Sequence, residues 1–245
     1  GVYDDKPNVP ATKKSLILIG ILYLLINFDK SLIPNEIYFD YFDYVVYLEN
    51  FAVPFTILSI FFLINSLNLY DGTNLQSGVF LSFVYVILIL KGIFSEFFLI
   101  ILISNLFFIY KNYNGKLFYG DAGIFLNSYI ISYFILKSYN ANVLSTDLII
   151  IIFFLPALDL IRLFIMRLFS LRNPFIGDRN HFHHILAKIF ENNILKINLV
   201  LLLIFSAPII FYDYLNISFI ISFIPSLLFY FSLVIYFYIY KKNNA

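Results

Sequence analysis

Eight apolar runs recur from one end of this chain to the other, separated only by short polar stretches, and no fold buried in water can hide them all. They span Ser15–Phe28, Phe51–Leu69, Gly78–Leu90, Phe97–Tyr110, Ile124–Leu136, Leu148–Phe169, Ile197–Tyr212 and Ile217–Tyr240. Lipid can solvate such surface, provided each backbone polar group is satisfied within its own segment. Only 13% of the 245 residues are charged, against roughly 25% in soluble domains. The ten-residue alternation of a membrane β-barrel is absent. The expectation is therefore an all-α, polytopic transmembrane helix bundle of about eight spans, forming one domain over residues 1–245. Several runs are shorter than the ~20 residues of a full span, so their helices should extend into flanking polar residues. Ile37–Asn50, aromatic and punctuated by acids, reads as interfacial structure. With no cysteine, disulfides and thiolate chemistry are excluded.

Span parity sorts the loops into two sets. If all eight runs cross, residues 1–14, 70–77, 111–123, 170–196 and 241–245 share one side. Of the 16 Lys and Arg, only Lys30, Lys91 and Lys137 belong to the other side, and Arg162 and Arg167 lie toward the basic end of the sixth span. By the positive-inside rule the basic side is cytoplasmic. The protein is expected in the cytoplasmic (inner) membrane, with its chemistry facing the cytosol.

That basic side also carries four polar clusters. They are Asp4-Asp5 followed by Lys13-Lys14, "NSLNLYDGTNLQSG" (Asn65–Gly78), "GKLFYGDAG" (Gly115–Gly123) and "DRNHFHHIL" (Asp178–Leu186), which holds all three histidines. Asn65, Asn68 and Asp71 recur every three residues at a helix end and so share a face. Gly72 follows where a left-handed residue could end the helix. Two amides and a carboxylate make a set of hard oxygen ligands for Mg²⁺ or a metal-bound phosphate, although Asn and Asp also cap helices. Four carboxylates from three loops, with Lys and Arg nearby, suit phosphoryl transfer, which needs cations on the phosphate oxygens more than covalent help. The histidines admit a phosphate-binding, a zinc-binding or a plain surface-loop reading. Asp159 and Arg162, three residues apart on the sixth span, read as a mutually neutralising pair.

In this order the loops resemble the polyprenyl-phosphate N-acetylhexosamine-1-phosphate transferases, the MraY–WecA–TagO family. "GVYDD" is similar to its aspartate pair, "NSLNLYDGTN" to its Asn-x-x-Asn-x-x-Asp-Gly motif and "KLFYGDAG" to its Lys-x-Phe-x-Gly-Asp-x-Gly motif. "PALDLIRLFIMR" followed by "NPFIGDRNHFHHIL" resembles its penultimate helix and Asp-Arg-x-His-x-His-His loop. The resemblance covers essentially all 245 residues, and the histidine loop is closer to the WecA/TagO branch. It implies transfer of a sugar 1-phosphate from a UDP-sugar to a membrane polyprenyl phosphate, with release of UMP and with Mg²⁺ (Mn²⁺ as substitute). It further implies Asn68 and Asp121 as metal ligands, Asp4 and Asp5 beside the lipid phosphate, Asp71 supporting the metal and Asn74 near the uracil. Lys14 would bind phosphate, and Arg179, His181, His183 and His184 would grip the donor's diphosphate. Zinc fits the histidines less well, because the nearby donors are carboxylates and amides, there is no cysteine, and no fourth ligand stands at regular spacing.

The chain departs from the family pattern at Ile124, where Ser is usual, and at Leu75, where a Gly is common. The family's two or three helices before the aspartate pair are missing, so an N-terminally truncated chain is expected, from a protein of ten or eleven spans. UDP-GlcNAc is the expected donor and an O-antigen, common-antigen or teichoic-acid glycan the expected product line. Phospho-MurNAc-pentapeptide transfer in peptidoglycan synthesis stands as the alternative. A homodimer is compatible with this reading, and a nucleic-acid partner is not expected. The rival of another class is a transporter or ion pathway, which would spread ionisable residues near the membrane midplane. A catalytically dead relative acting in an assembly complex is the third alternative.

Overall fold

The computed structural model describes residues 11–171 and 180–243. In chain order the elements are α1 (Ala11–Phe28), β1 (Glu36–Phe39), β2 (Tyr44–Tyr47), α2 (Ala52–Tyr70), α3 (Gln76–Leu90) and α4 (Ser95–Tyr113). There follow α5 (Gly120–Asn140), α6 (Thr146–Phe169), the short α7 (Phe182–Ile189), α8 (Ile194–Ile209) and α9 (Phe219–Asn243). The eight long helices coincide with the eight apolar runs, and several extend into polar flanks as expected; α4, for example, continues through Lys111 and Asn112. Five segments, Glu49–Tyr70, Ser95–Tyr113, Thr146–Phe169, Ile194–Tyr214 and Phe219–Ile239, are long and apolar enough to cross a membrane, and α3 is a shorter apolar helix. The protein is an all-α polytopic membrane protein.

Polar residues inside these helices are satisfied locally or turned inward, as hydrocarbon surroundings demand. The Ser128 and Ser132 hydroxyls each donate to the carbonyl four residues earlier, at 2.7 Å. In α4 the apolar side chains Leu99, Ile100, Ile103 and Phe107 are exposed, whereas Asn105 and Asn112 are buried. This is the reverse of a helix on a water-soluble protein, and it leaves the outer face to lipid. The main core joins α3, α4, α6, α8 and α9 through residues such as Val84, Phe98, Ile151, Phe205 and Tyr230. A second cluster packs Leu22 and Ile26 of α1 on Ile60 and Ile64 of α2.

Successive long helices run in opposite directions, so their ends gather at two faces. One face holds the first turns of α1 and α5 and the last turns of α2 and α6, where Lys14, Asn68, Asp121 and Arg167 line a single cleft. At the other face lies a β1–β2 hairpin pairing Glu36 with Tyr47 and Phe39 with Tyr44. The interfacial segment is thus a strand pair, strapped down by the Tyr41 amide donating to Asp147 at 2.8 Å and the Tyr38 amide donating to the Tyr139 hydroxyl at 2.9 Å. That face encloses the larger cavity, about 1130 Å³, lined by the hairpin, Lys91, Asp147 and Asp213. Among the described residues, none from the four polar motifs lines it.

Candidate active site

The cleft at the motif face has a volume of about 490 Å³. Its mouth is polar, with Lys14 and Ser15 from α1, Asn65 and Asn68 from α2, Asp121 from α5 and Arg167 from α6; its walls are apolar, from Leu18, Phe61, Phe62, Phe125, Ile161 and Phe164. Lys14 Nζ lies 3.4 Å from Asp121 Oδ2, with both side chains about one-third exposed (33% and 38%). The pair is therefore partly solvated. Asn65 and Asn68 reach the same cleft because three residues along a helix return to nearly the same face.

Two buried asparagines on α4 set the loops around this mouth. Asn112 Oδ1 accepts the Leu75 amide at 2.6 Å, and its Nδ2 donates to the Leu117 carbonyl at 2.7 Å, tying the second motif loop to the third. Seven residues earlier, Asn105 Nδ2 donates to the Gly78 carbonyl and to Ser82 Oγ, each at 2.8 Å, and its Oδ1 accepts the Tyr119 hydroxyl. Tyr119 stacks on Phe108 with ring centroids 3.8 Å apart, just before Gly120 and Asp121 open α5. Burial, with the nearby Asp121 charge, raises the Asp71 carboxyl above its ordinary range. The two carboxylates of the second and third motifs are thus near enough to feel each other.

The histidine loop docks on the second motif. Gly72 does not end α2 in a left-handed conformation; among the described residues, its loop takes positive φ at Leu75 (φ 72). What Gly72 provides is room: a Cβ there would lie 2.0 Å from His183 Cε1 and Nε2. His183 is 3% exposed, and burial, reinforced by His184 and His181, lowers its pKa to about 3, so it is a neutral imidazole. The His181 and His183 rings stack with centroids 5.5 Å apart, and His184 lies 4.2 Å from His183. Leu75, where the family commonly has glycine, adopts a left-handed conformation uncommon for a branched side chain, and its side chain is buried.

The Asp159–Arg162 pair does more than neutralise itself. Arg162 donates to Asp159 Oδ1 at 2.6 Å, to the Tyr230 hydroxyl at 2.8 Å and to the Asn180 carbonyl at 2.7 Å. Asp159 Oδ2 accepts the Phe182 amide at 3.1 Å and lies 3.4 Å from His181 Nδ1. These contacts join α6, α9 and the histidine loop.

The model of glycosyl transferase family 4 matches residues 1–139. The chain belongs to glycosyl transferase family 4. A comparison with curated proteins gives no match. Family membership supports phosphosugar transfer to a polyprenyl phosphate, and a membrane-embedded member suits a sugar donor with a membrane lipid acceptor. The match covers the aspartate pair, the Asn-Asp-Gly motif and the Gly-Asp loop, and ends before the histidine loop.

Of the family residues named from sequence, the cleft unites Lys14, Asn68 and Asp121. Asp71 stands near Asp121, and Asn74 is held through its carbonyl, which accepts from Asn198 Nδ2 of α8 at 3.0 Å. His181, His183 and His184 meet beside Gly72, outside the cleft lining. Asp4, Asp5 and Arg179 lie outside the described residues. Asn65, read from sequence as an oxygen ligand on the Asn68 face, lies in the cleft; Arg167, read only as part of the basic end of the sixth span, lines it too, and sequence reasoning passed over Asn105 and Asn112. A basic or amide residue in an apolar run is the signal that could have found them, since lipid gives such groups no partner.

Among the described residues no three acidic or imidazole side chains converge on one point as a closed metal cage. What exists is an open set, Asp121 and Asn68 with Asp71 close by. Asp71 is half-buried, its carboxyl raised by burial and by the Asp121 charge, and a divalent cation would relieve the repulsion between the two carboxylates. Mg²⁺ fits such a set, because it keeps several waters and takes the rest of its ligands from one or two carboxylates and substrate phosphates.

Proposed function

We infer that this transferase moves an N-acetylhexosamine 1-phosphate from a UDP-sugar, UDP-GlcNAc first, to polyprenyl phosphate and releases UMP. The observation that carries the reading is the cleft itself. Its mouth offers Lys14 and Arg167 beside Asn65, Asn68 and Asp121, and its interior is walled by leucine, isoleucine and phenylalanine. A lipid phosphate matches both halves, with its charge between the two cations and its isoprenoid chain along the apolar wall.

The acceptor's phosphate oxygen would attack the β-phosphorus of the donor. The bond from that phosphorus to the bridging oxygen breaks, the electron pair leaves with UMP, and a lipid diphosphate sugar remains. Asp121 and Asn68, supported by Asp71, would hold Mg²⁺, which neutralises charge on the phosphate oxygens. Lys14 and Arg167 hold the acceptor's phosphate, and the aspartate pair Asp4-Asp5 keeps its attacking oxygen unprotonated or aligned. The histidines, Arg179 and Asn74 receive the diphosphate and uracil of the donor. The basic motif face is cytosolic in this reading, where nucleotide sugars are found, and the glycan started is of the O-antigen, common-antigen or teichoic-acid kind.

The test is to incubate membranes containing the protein with polyprenyl phosphate and each of a panel of UDP-sugars, measuring UMP and the lipid product. UDP-GlcNAc is expected to give stoichiometric UMP and a lipid diphosphate sugar only when Mg²⁺ is present. Absence of UMP with every donor would refute the transferase reading.

A further inference from the structure

The Asp159 network is larger than charge neutrality requires. Asp159 is 6% exposed and each of its oxygens serves separate partners. Oδ1 takes Arg162 and the Tyr230 hydroxyl, the latter at 3.0 Å. Oδ2 faces the loop, taking the Phe182 amide and lying 3.4 Å from His181 Nδ1. Arg162 closes the other side by donating to the Asn180 carbonyl. The peptide units on both sides of His181 are therefore fixed by one ion pair, from 23 residues away in sequence for the Phe182 amide and 18 for the Asn180 carbonyl.

His181 itself is 6% exposed, and its Nδ1 has no hydrogen-bond partner tighter than this approach to Asp159. A buried ring nitrogen facing a carboxylate is favoured with its proton in place, as N–H toward O⁻; a bare lone pair there would face another negative centre. A carboxylate so placed fixes both tautomer and ring orientation, leaving the second nitrogen to meet a ligand.

We propose that Asp159 is a positioning residue that holds His181 with its proton on Nδ1, while Arg162 pins the flanking backbone, so that Nε2 is the ring nitrogen offered to the ligand. His181 and His183 then differ in kind. His183 is packed against Gly72 as part of the loop's seating, whereas His181 is oriented from behind by a charge it does not share with the ligand. Tyr230 supports the Oδ1 side and leaves the His181 contact intact. Removing its hydroxyl therefore leaves the tautomer unchanged.

The chain contains three histidines, so ring-¹⁵N histidine labelling gives only three pairs of nitrogen signals. The experiment records them for the protein in lipid nanodiscs at a pH high enough for neutral rings, with His181→Gln to assign the pair. His181 is expected with Nδ1 protonated and Nε2 bare. Asp159→Asn is expected to abolish that preference, and Tyr230→Phe to preserve it. A parent ring protonated on Nε2, or a tautomer unchanged in Asp159→Asn, would overturn the assignment. Should Asp159→Asn fail to fold, the parent spectrum alone still decides between the two tautomers.

The kinetic part rests on the transferase reading. In nanodiscs with polyprenyl phosphate and UDP-GlcNAc, Asp159→Asn should lower kcat/KM for the donor at least tenfold and leave KM for the lipid within twofold. Asp159→Glu should recover part of the loss. Activity of Asp159→Asn within twofold of the parent counts against the proposal. A correct tautomer in a protein that uses no UDP-sugar would instead sink the transferase reading and leave the positioning role standing.

Discussion

Both faces of this bundle carry polar residues and put them to different use. At the hairpin face several charges are paired: Lys91 with Asp213 at 2.5 Å, Lys137 with Asp29 at 3.8 Å, and Asp147 with the Tyr41 amide. Around the larger cavity, the contacts tie loop to helix end. At the motif face the cavity is less than half the size, yet Lys14, Arg167, Asn68 and Asp121 share its mouth, and two carboxylates are close enough to oppose each other. The smaller cavity, where unlike charges from three helices meet beside an apolar wall, is the one the proposed transfer would use, because a phosphate-headed lipid needs both cations and an apolar surface.

The sharpest way to break the comparison is to ask which face meets the cytosol. Lys116→Cys at the motif face and Ala141→Cys at the hairpin face place single thiols at exposed positions of a cysteine-free chain. A membrane-impermeant thiol reagent added to intact cells should label the second and spare the first. Labelling of Lys116→Cys from outside would reverse the orientation and with it the cytosolic donor.

Next in size is a matched pair of substitutions. Asp121→Asn should abolish turnover while the protein stays folded; retention of more than about a tenth of the activity, a loss under ~1.4 kcal/mol in transition-state stabilisation, argues against a direct metal ligand. Asp213→Asn at the opposite face should leave turnover per folded molecule unchanged and lower the melting temperature slightly, since it breaks only the Lys91 pair. Equal loss of turnover in both variants would erase the distinction between the faces.

Gly72→Ala sharpens the motif face. Its new methyl would overlap the His183 ring, so the loop must shift, at a cost of about 1–3 kcal/mol. Combining it with His183→Ala should recover much of that loss, a coupling a double-mutant cycle would read. Additive effects would mean that the two loops do not touch.

The smallest effect is in pH. His183 has a folded pKa of about 3, below the ordinary histidine value of about 6.5. Between those values the unfolded chain binds a proton that the folded one excludes. His183 therefore subtracts stability as pH falls, by at most ~1.4 kcal/mol per unit below about 6.5. Melting curves from pH 7 to pH 5 should fall less steeply for His183→Gln than for the parent. Identical slopes would mean that the imidazole protonates freely in place.

Helix number and order, and the clustering of the polar motifs at one end, were legible in the sequence. Lipid imposes that legibility: each span must satisfy its own backbone and present apolar residues outward, so the signal is local and lies in the order of the residues. The meeting of Asn68 and Asp121 in one cleft could also be anticipated, since parity puts the last turn of α2 and the first turn of α5 on the same side. What only the tertiary structure decided are the contacts in which one loop's form depends on another's. Gly72 looked like a helix terminator and is a seat for His183; Asp159–Arg162 looked self-contained and holds the backbone around His181. Asn105 and Asn112, unremarked in the sequence, brace two motif loops. The hairpin was visible only as an aromatic, acidic stretch. In each case the deciding partner lies many residues away. A buried polar group's need for a partner is readable in sequence, but which group answers is chosen when the helices pack.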